Sequence, residues 1–205
     1  MALIDHLINE GWLKAPRIIE AFRRIKRVDF LPEDMEDLAE LNEALPIGYG
    51  QTISQPLVVV FMLEQLEPKE GDKILDIGSG SGWTSALLGE IVGKKGRVIA
   101  IDVIPELVEF GKNNVAKYNF IEKGIVEFIC ADGSKGYKKE APYDGILVSA
   151  AVQTEVPRAW KEQLKIGGRI VTPIGSSIWL FTKKSESKFE EIEYPGFAFV
   201  PLISK

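Results

Sequence analysis

The segment Ile74-Leu75-Asp76-Ile77-Gly78-Ser79-Gly80-Ser81-Gly82 constrains the chain most tightly, because an apolar strand ends in an acid and runs directly into G-x-G-x-G. The glycines permit positive φ and close approach of backbone to a ligand, and Ala86-Leu87-Leu88 beyond them reads as the inner face of a helix that they open. A nucleotide-like ligand is predicted, and spacing narrows it. A dinucleotide fold wants G-x-G-x-x-G, with the third glycine setting close packing beside a pyrophosphate. Here that third position is Trp83, and the glycine comes one residue early at Gly82. Asp76 would repel a pyrophosphate but can accept hydrogen bonds from an ammonium group, so S-adenosylmethionine fits better than NAD. About twenty residues further on, Gly96-Arg97-Val98-Ile99-Ala100-Ile101-Asp102 reads as a second strand whose closing acid can accept both hydroxyls of a ribose. Both cofactors carry a ribose, so Asp102 does not choose between them.

With 205 residues, 45% hydrophobic and 27% charged, the expectation is one soluble α/β domain over 1–205, divided into N-terminal helices and an active-site loop (1–56) and a cofactor-binding core (57–205). A net charge of −5 gives no general affinity for phosphate backbones, so nucleic acid is disfavoured as a partner. The basic cluster Lys14, Arg17, Arg23, Arg24, Lys26 and Arg27 reads as a solvated helix face. The one cysteine, Cys130, ends the apolar run Val126-Glu127-Phe128-Ile129 and is expected to be buried; it excludes an internal disulfide and fits a reducing cytoplasm. No N-terminal signal sequence is visible, and no apolar run approaches the roughly 20 residues that cross a bilayer. The single histidine, His6, falls in an amphipathic stretch, and no His/Cys cluster offers metal ligands.

Helical spacing of Leu3-Ile4-Leu7-Ile8 and of Ile18-Ile19-Phe22-Ile25 predicts two short helices ahead of the core. Leu45 to Pro56 has the glycine, proline and serine content of an ordered loop, and Leu57 to Leu66 reads as a helix that Ser54 and Pro56 would start. From Lys73 onward strands (73–77, 97–102, 125–130, 144–149, 169–174) alternate with helices (82–92, 105–118, 155–164). This is the βαβ pattern of a doubly wound, mostly parallel sheet. Further short strands are expected at 178–183, 189–194 and 197–202, in an order that cannot be read.

The third strand of this series ends in Ala131-Asp132-Gly133, where the carboxylate can take an exocyclic amine and the glycine leaves room for a planar base; an ordinary Asp-Gly turn is the alternative. The fourth ends in Ser149-Ala150-Ala151, small residues where a transferred methyl group is expected. An adenine or glutamine amide methyltransferase usually needs an Asn/Asp-Pro-Pro-Tyr clamp at this point, and none is present. A cytosine C5 methyltransferase needs a cysteine nucleophile, and Cys130 ends the wrong strand. A carboxylate acceptor suits what remains, since it is ionised near neutral pH and requires no general base. Ser54 can donate a hydrogen bond that orients such an acceptor, or can serve as a helix N-cap, and the two roles are compatible.

The stretches Leu45-Pro46-Ile47-Gly48-Tyr49-Gly50-Gln51-Thr52-Ile53-Ser54, Leu75 to Gly82, Ala141-Pro142-Tyr143-Asp144, Gln163 to Arg169 and Phe199-Val200-Pro201-Leu202 resemble the protein-L-isoaspartate O-methyltransferase family over nearly the whole chain. The resemblance implies a seven-stranded methyltransferase fold that uses S-adenosylmethionine, releasing S-adenosylhomocysteine, to esterify the α-carboxyl of L-isoaspartyl residues in damaged proteins. A cytoplasmic protein acting as a monomer, without membrane attachment, is expected. The resemblance also implies that Ser54 is the active-site serine and that Thr52 and Ile53 lie beside the cofactor. Gly78, Ser79, Gly80 and Gly82 would border the methionine and ribose, Asp102 would bind the ribose, and Asp132 with Gly133 would receive the adenine. The family usually reads Ile-Ser-Ala-Pro-His where this chain has Ile53-Ser54-Gln55-Pro56-Leu57. The missing histidine keeps two alternatives open: another acceptor such as RNA, reached through the basic cluster, or a cofactor-binding adaptor with little turnover.

Overall fold

The computed structural model describes residues 3–204. Helices α1 (Leu3–Asn9) and α2 (Pro16–Arg24) come first, followed by a hairpin of β1 (Leu45–Gly48) and β2 (Gln51–Ile53) and by helix α3 (Pro56–Leu66). The core then runs β3 (Lys73–Ile77), α4 (Trp83–Val92), β4 (Arg97–Asp102), α5 (Pro105–Ala116), β5 (Val126–Cys130), β6 (Tyr143–Val148), α6 (Arg158–Gln163), β7 (Leu164–Ile174), β8 (Ser177–Lys183) and β9 (Phe189–Pro195).

The seven-stranded sheet has the order β5-β4-β3-β6-β7-β8-β9, parallel from β5 through β7 and antiparallel in the last two pairings. Period-2 alternation sends the strand side chains to two faces. Leu75, Ile99, Ile146, Ile170 and Phe181 are register partners in a row across the sheet and belong to one apolar cluster. One residue further along the parallel strands, and one residue earlier in antiparallel β8, the row Asp76, Ala100, Leu147, Val171 and Leu180 points to the opposite face. There helices α3, α4 and α5 form the cover, with α2 packed against α3 and α4 and α1 against α2. The other face carries a thinner cover. Helix α6 has six residues where ten were expected, and its fully buried Trp160 donates Nε1–H to the Gly133 carbonyl at 2.8 Å.

Several expectations are corrected. Residues 45–53 form an antiparallel hairpin rather than a loop, because Gly48, Tyr49 and Gly50 all take positive φ (89°, 54° and 71°) and reverse the chain. The segment 197–202 is not a strand. Gly196 at φ 100° turns it off β9, and only an isolated bridge joins Pro201 to Ala151. Cys130 is exposed, because it closes β5, an edge strand paired only with β4. Arg27 is buried rather than part of a solvated face, and of its neighbours Arg24 pairs with Glu90 at 2.9 Å and Arg23 with Asp5 at 3.8 Å. Ser54 does not cap α3; Gln55 holds the N-cap position without a side-chain capping bond, its Nε2 donating instead to the Asn42 carbonyl at 2.8 Å.

Candidate active site

The strand order reverses at β3, which has β4 on one side and β6 on the other. In open α/β sheets the crevice beyond the carboxyl ends of the strands at such a reversal is where ligands bind. Two adjoining clefts of about 470 and 360 Å³ lie there, and they share Gln51, Gly78, Asp102 and Ala150. Thr52, Ile53, Ser54, Ser79, Gly80 and Trp83 line the first; Ile77, Ile101, Ile104, Gly133 and Leu202 make the second more apolar.

Asp102 stands at the division. Its Oδ2 accepts the Gly80 N–H at 2.9 Å and its Oδ1 the Ile104 N–H at 3.0 Å, so two backbone amides fix a carboxylate that borders both clefts. The glycine turn is anchored to the same strand, with Gly78 N–H and Ser79 N–H both donating to the Ile101 carbonyl. Two residues that line the first cleft each carry a buried polar atom, Ser79 Oγ and Trp83 Nε1, with no hydrogen-bond partner among the described residues. Such groups are costly to leave unpaired.

Three of the residues singled out from the sequence do not line either cleft. Gly82, at φ 83°, takes the N-cap position of α4, and a Cβ there would lie 2.8 Å from the Gly111 carbonyl oxygen of α5. Asp76 is fully buried on the helical face of the sheet, where Oδ2 accepts Ser85 Oγ–H at 2.6 Å and Thr84 Oγ1–H at 3.0 Å and Oδ1 has no partner. Burial pushes its carboxyl up to about 6, against the two hydroxyl bonds that pull it down, and the charge of Asp102 adds to the rise. Asp132 caps a short turn, its Oδ1 accepting Ser134 N–H and Oγ–H and its Oδ2 pairing with Lys135 at 3.2 Å. That turn holds Gly133 tightly against Ile77, whose Cγ2 would lie 2.5 Å from an added Cβ.

Beyond the first cleft a wider groove of about 700 Å³ is lined by Ala44, Thr52, Ser54, Gln55, Val58, Ser149, Ala198, Phe199 and Val200. It shares Thr52, Ser54, Ser149 and Val200 with that cleft. Three hydroxyl side chains therefore stand where the two spaces meet, and no titratable side chain lines the groove. Leu57 lines neither clefts nor groove; its N–H donates to Asn42 Oδ1 at 3.0 Å, and its side chain packs against the apolar core.

Sequence reasoning missed Gln51, Trp83, Ala198 and Ile203 as lining residues, and it read Ser149 only as one of the small residues near the transferred methyl group. The stretch 198–203 reaches the site because Ala151 N–H donates to the Val200 carbonyl and Leu202 N–H to that of Ala151, both at 2.8 Å. Its only signal in the sequence was the Phe199-Val200-Pro201-Leu202 resemblance. Arg27 carried no signal that separated it from its basic neighbours.

A cleft divided by one carboxylate, opening on a groove without a base, sets this sheet among the methyltransferases rather than the dehydrogenases, whose third glycine it lacks. More specifically, the chain belongs to the protein-L-isoaspartate(D-aspartate) O-methyltransferase family, whose family model matches residues 1–205. It is 42% identical over 207 residues to the protein-L-isoaspartate O-methyltransferase of Methanopyrus kandleri, covering 99% of this chain and 90% of that one. It is 45% identical over 189 residues to protein-L-isoaspartate O-methyltransferase 2 of Archaeoglobus fulgidus, covering 91% and 84%. The fold matches that of a Plasmodium falciparum protein assigned to the same activity and crystallised in complex with S-adenosyl-L-homocysteine, with a TM-score of 0.89, 21% identity and coverage of 99% and 97%.

Proposed function

We propose that this protein transfers a methyl group from S-adenosylmethionine to the α-carboxylate of L-isoaspartyl residues in damaged proteins, releasing S-adenosylhomocysteine. The observation that carries this reading is the junction of cofactor cleft and acceptor groove, which Thr52, Ser54 and Ser149 share and which contains no acid or base. A carboxylate acceptor fits such a junction, because it is already ionised at neutral pH and needs neither.

The residues present fit the cofactor. Asp102, held by two backbone amides, would take the ribose hydroxyls, and the apolar second cleft beside Gly133 would take the adenine, with Asp132 shaping the turn that presents that glycine. Gly78, Ser79 and Gly80, with Thr52 and Ile53, would surround the methionine portion, where Ser79 Oγ and Trp83 Nε1 lack partners. Gly82 and Asp76 would act from beneath, the first by helix packing and the second by bracing α4 through Thr84 and Ser85. When bound, S-adenosylmethionine supplies a sulfonium methyl that a carboxylate oxygen can take with neutralisation of both charges. The chain's own contribution is alignment and exclusion of water: Ser54 Oγ–H orients the acceptor carboxylate, and Phe199 and Val200 wall the groove.

Damaged proteins, rather than RNA, are the partners we infer, since the net charge is −5 and the basic cluster is partly buried and partly paired. Among the described residues no helix is long and apolar enough to cross a membrane, and action as a monomer in the cytoplasm is part of the same proposal. The test is transfer of radiolabelled methyl from S-adenosylmethionine to an isoaspartyl peptide, with its aspartyl twin as control. Selective labelling of the isoaspartyl peptide is expected. Equal labelling of both, or none while S-adenosylhomocysteine binds, would remove the proposal.

A further inference from the structure

Arg27 is 7% exposed and lies on the short turn Arg27–Phe30, more than twenty residues before the first cleft-lining residue. Four backbone carbonyls hold its guanidinium. Nη1 donates to Ala39 at 3.2 Å and Leu41 at 2.9 Å, and Nη2 donates to Glu43 at 2.7 Å and Ser54 at 3.3 Å. Its central carbon lies 5.4 Å from the centroid of the Trp83 ring, and Trp83 lines the cofactor cleft. One planar cation thus touches the turn that leads into the hairpin, the backbone of the serine at the cleft–groove junction, and a wall of the cofactor cleft. Burial lowers its pKa to about 10, with Glu40 opposing, so it stays charged at neutral pH despite the desolvation.

A buried charge of this kind is costly, and here the four Nη bonds offset that cost while the buried Nε–H has no hydrogen-bond partner among the described residues. Lysine could not reproduce the arrangement, because a point-like ammonium has no planar fork to span carbonyls from residues 39–43 and 54 while lying over an indole. We propose that Arg27 is a positioning residue for methyl transfer: it sets Ser54 between the cofactor cleft and the acceptor groove by fastening the Ser54 carbonyl and the 39–43 turn beside Trp83. The inference rests on the isoaspartyl methylation reading and names the group that holds its serine in place.

The test is a double-mutant cycle of Arg27→Lys and Ser54→Ala, with kcat and KM on the isoaspartyl peptide and Kd for S-adenosylhomocysteine measured in all four proteins. Arg27→Lys should lower kcat about tenfold and leave Kd within about threefold; in the Ser54→Ala background the same change should lower kcat less than about twofold, because the hydroxyl it misplaces is already gone. Equal fold-losses in both backgrounds would mark a general structural role and overturn the inference, as would unchanged kcat in Arg27→Lys. Arg27→Gln goes through the same cycle. If neither variant retains the far-ultraviolet circular dichroism of the native chain, the arginine serves stability alone and the inference fails. Wild type that binds S-adenosylhomocysteine but does not label the isoaspartyl peptide would remove the methylation reading and this inference with it. Active wild type with additive losses removes this inference only.

Discussion

Gly82→Ala and Gly78→Ala should separate two roles that the glycine turn combines. Both positions have left-handed φ, 83° and 74°, so an alanine at either costs about 1–2 kcal/mol of backbone strain. Their surroundings differ. A Cβ on Gly82 would lie 2.8 Å from the Gly111 oxygen, 2.9 Å from Val115 Cγ2 and 3.1 Å from Gly111 Cα, so two helices must separate, at a further cost of about 1–3 kcal/mol. A Cβ on Gly78 would meet Ala150 Cβ at 3.6 Å, an ordinary contact, on the lining of both clefts. Gly82→Ala should therefore lose about 2–5 kcal/mol, a fall in Tm on the order of 10 °C for a chain of this size, against about 5 °C for Gly78→Ala. Calorimetry of the apo proteins measures the first effect, and S-adenosylhomocysteine titration well below either Tm measures the second. Gly78→Ala should weaken binding more than tenfold, and Gly82→Ala less than about threefold. Equal Tm values, or a larger binding loss in Gly82→Ala, would refute the assignment of Gly82 to helix packing.

Other expectations follow from the same geometry. Asp76 has a folded pKa near 6, above its unfolded value, so stability present below the unfolded pKa is lost as pH rises through about 6, amounting to roughly 3 kcal/mol. In urea unfolding, the stability of Asp76→Asn relative to wild type should thus increase from about pH 4 to about pH 7.5; a constant difference would show that the carboxyl is not raised. Leu57→His should change kcat on the isoaspartyl peptide by less than about threefold, since the side chain lines neither cleft nor groove; a large gain would restore the histidine to the mechanism. Cys130, exposed at the edge strand, should react with a thiol reagent in the native state at nearly the rate of the urea-unfolded chain. Protection by a factor on the order of a hundred would contradict its exposure.

The central strands were legible because alternation is local: Lys73–Ile77 and Arg97–Asp102 were read with the bounds that the structure has. The same alternation, followed one step further, explains why Asp76 leaves the cleft. Counted with Ala100 and Leu147 it belongs to the helical face, one residue short of Ile77, which closes β3 and lines the second cleft. What stayed hidden depends on neighbours distant in sequence. Cys130 is exposed because of the sheet order, which no local pattern encodes, and Arg27 is buried because carbonyls at 39, 41, 43 and 54 converge on it.

The site divides along the same line. On the proposed assignment, its cofactor half is built largely from strand ends and the turns that follow them, at 77–80, 101–104 and 133, where a glycine or acid announces itself in sequence. Its acceptor half is assembled from the β1–β2 hairpin and the start of α3, the end of β6 and the stretch 198–200, pieces that meet only after the sheet has formed. The parts that bind a common cofactor can stay fixed while the distant pieces alter which carboxylate is admitted. Acceptor preference should accordingly respond to changes at Ala198, Phe199 and Gln55, which line the groove and not the cofactor clefts. Affinity for S-adenosylhomocysteine should not. A Phe199→Ala protein that altered the ranking of isoaspartyl peptides at unchanged cofactor Kd would bear out this division, and parallel loss of both would show that groove and cleft behave as one unit.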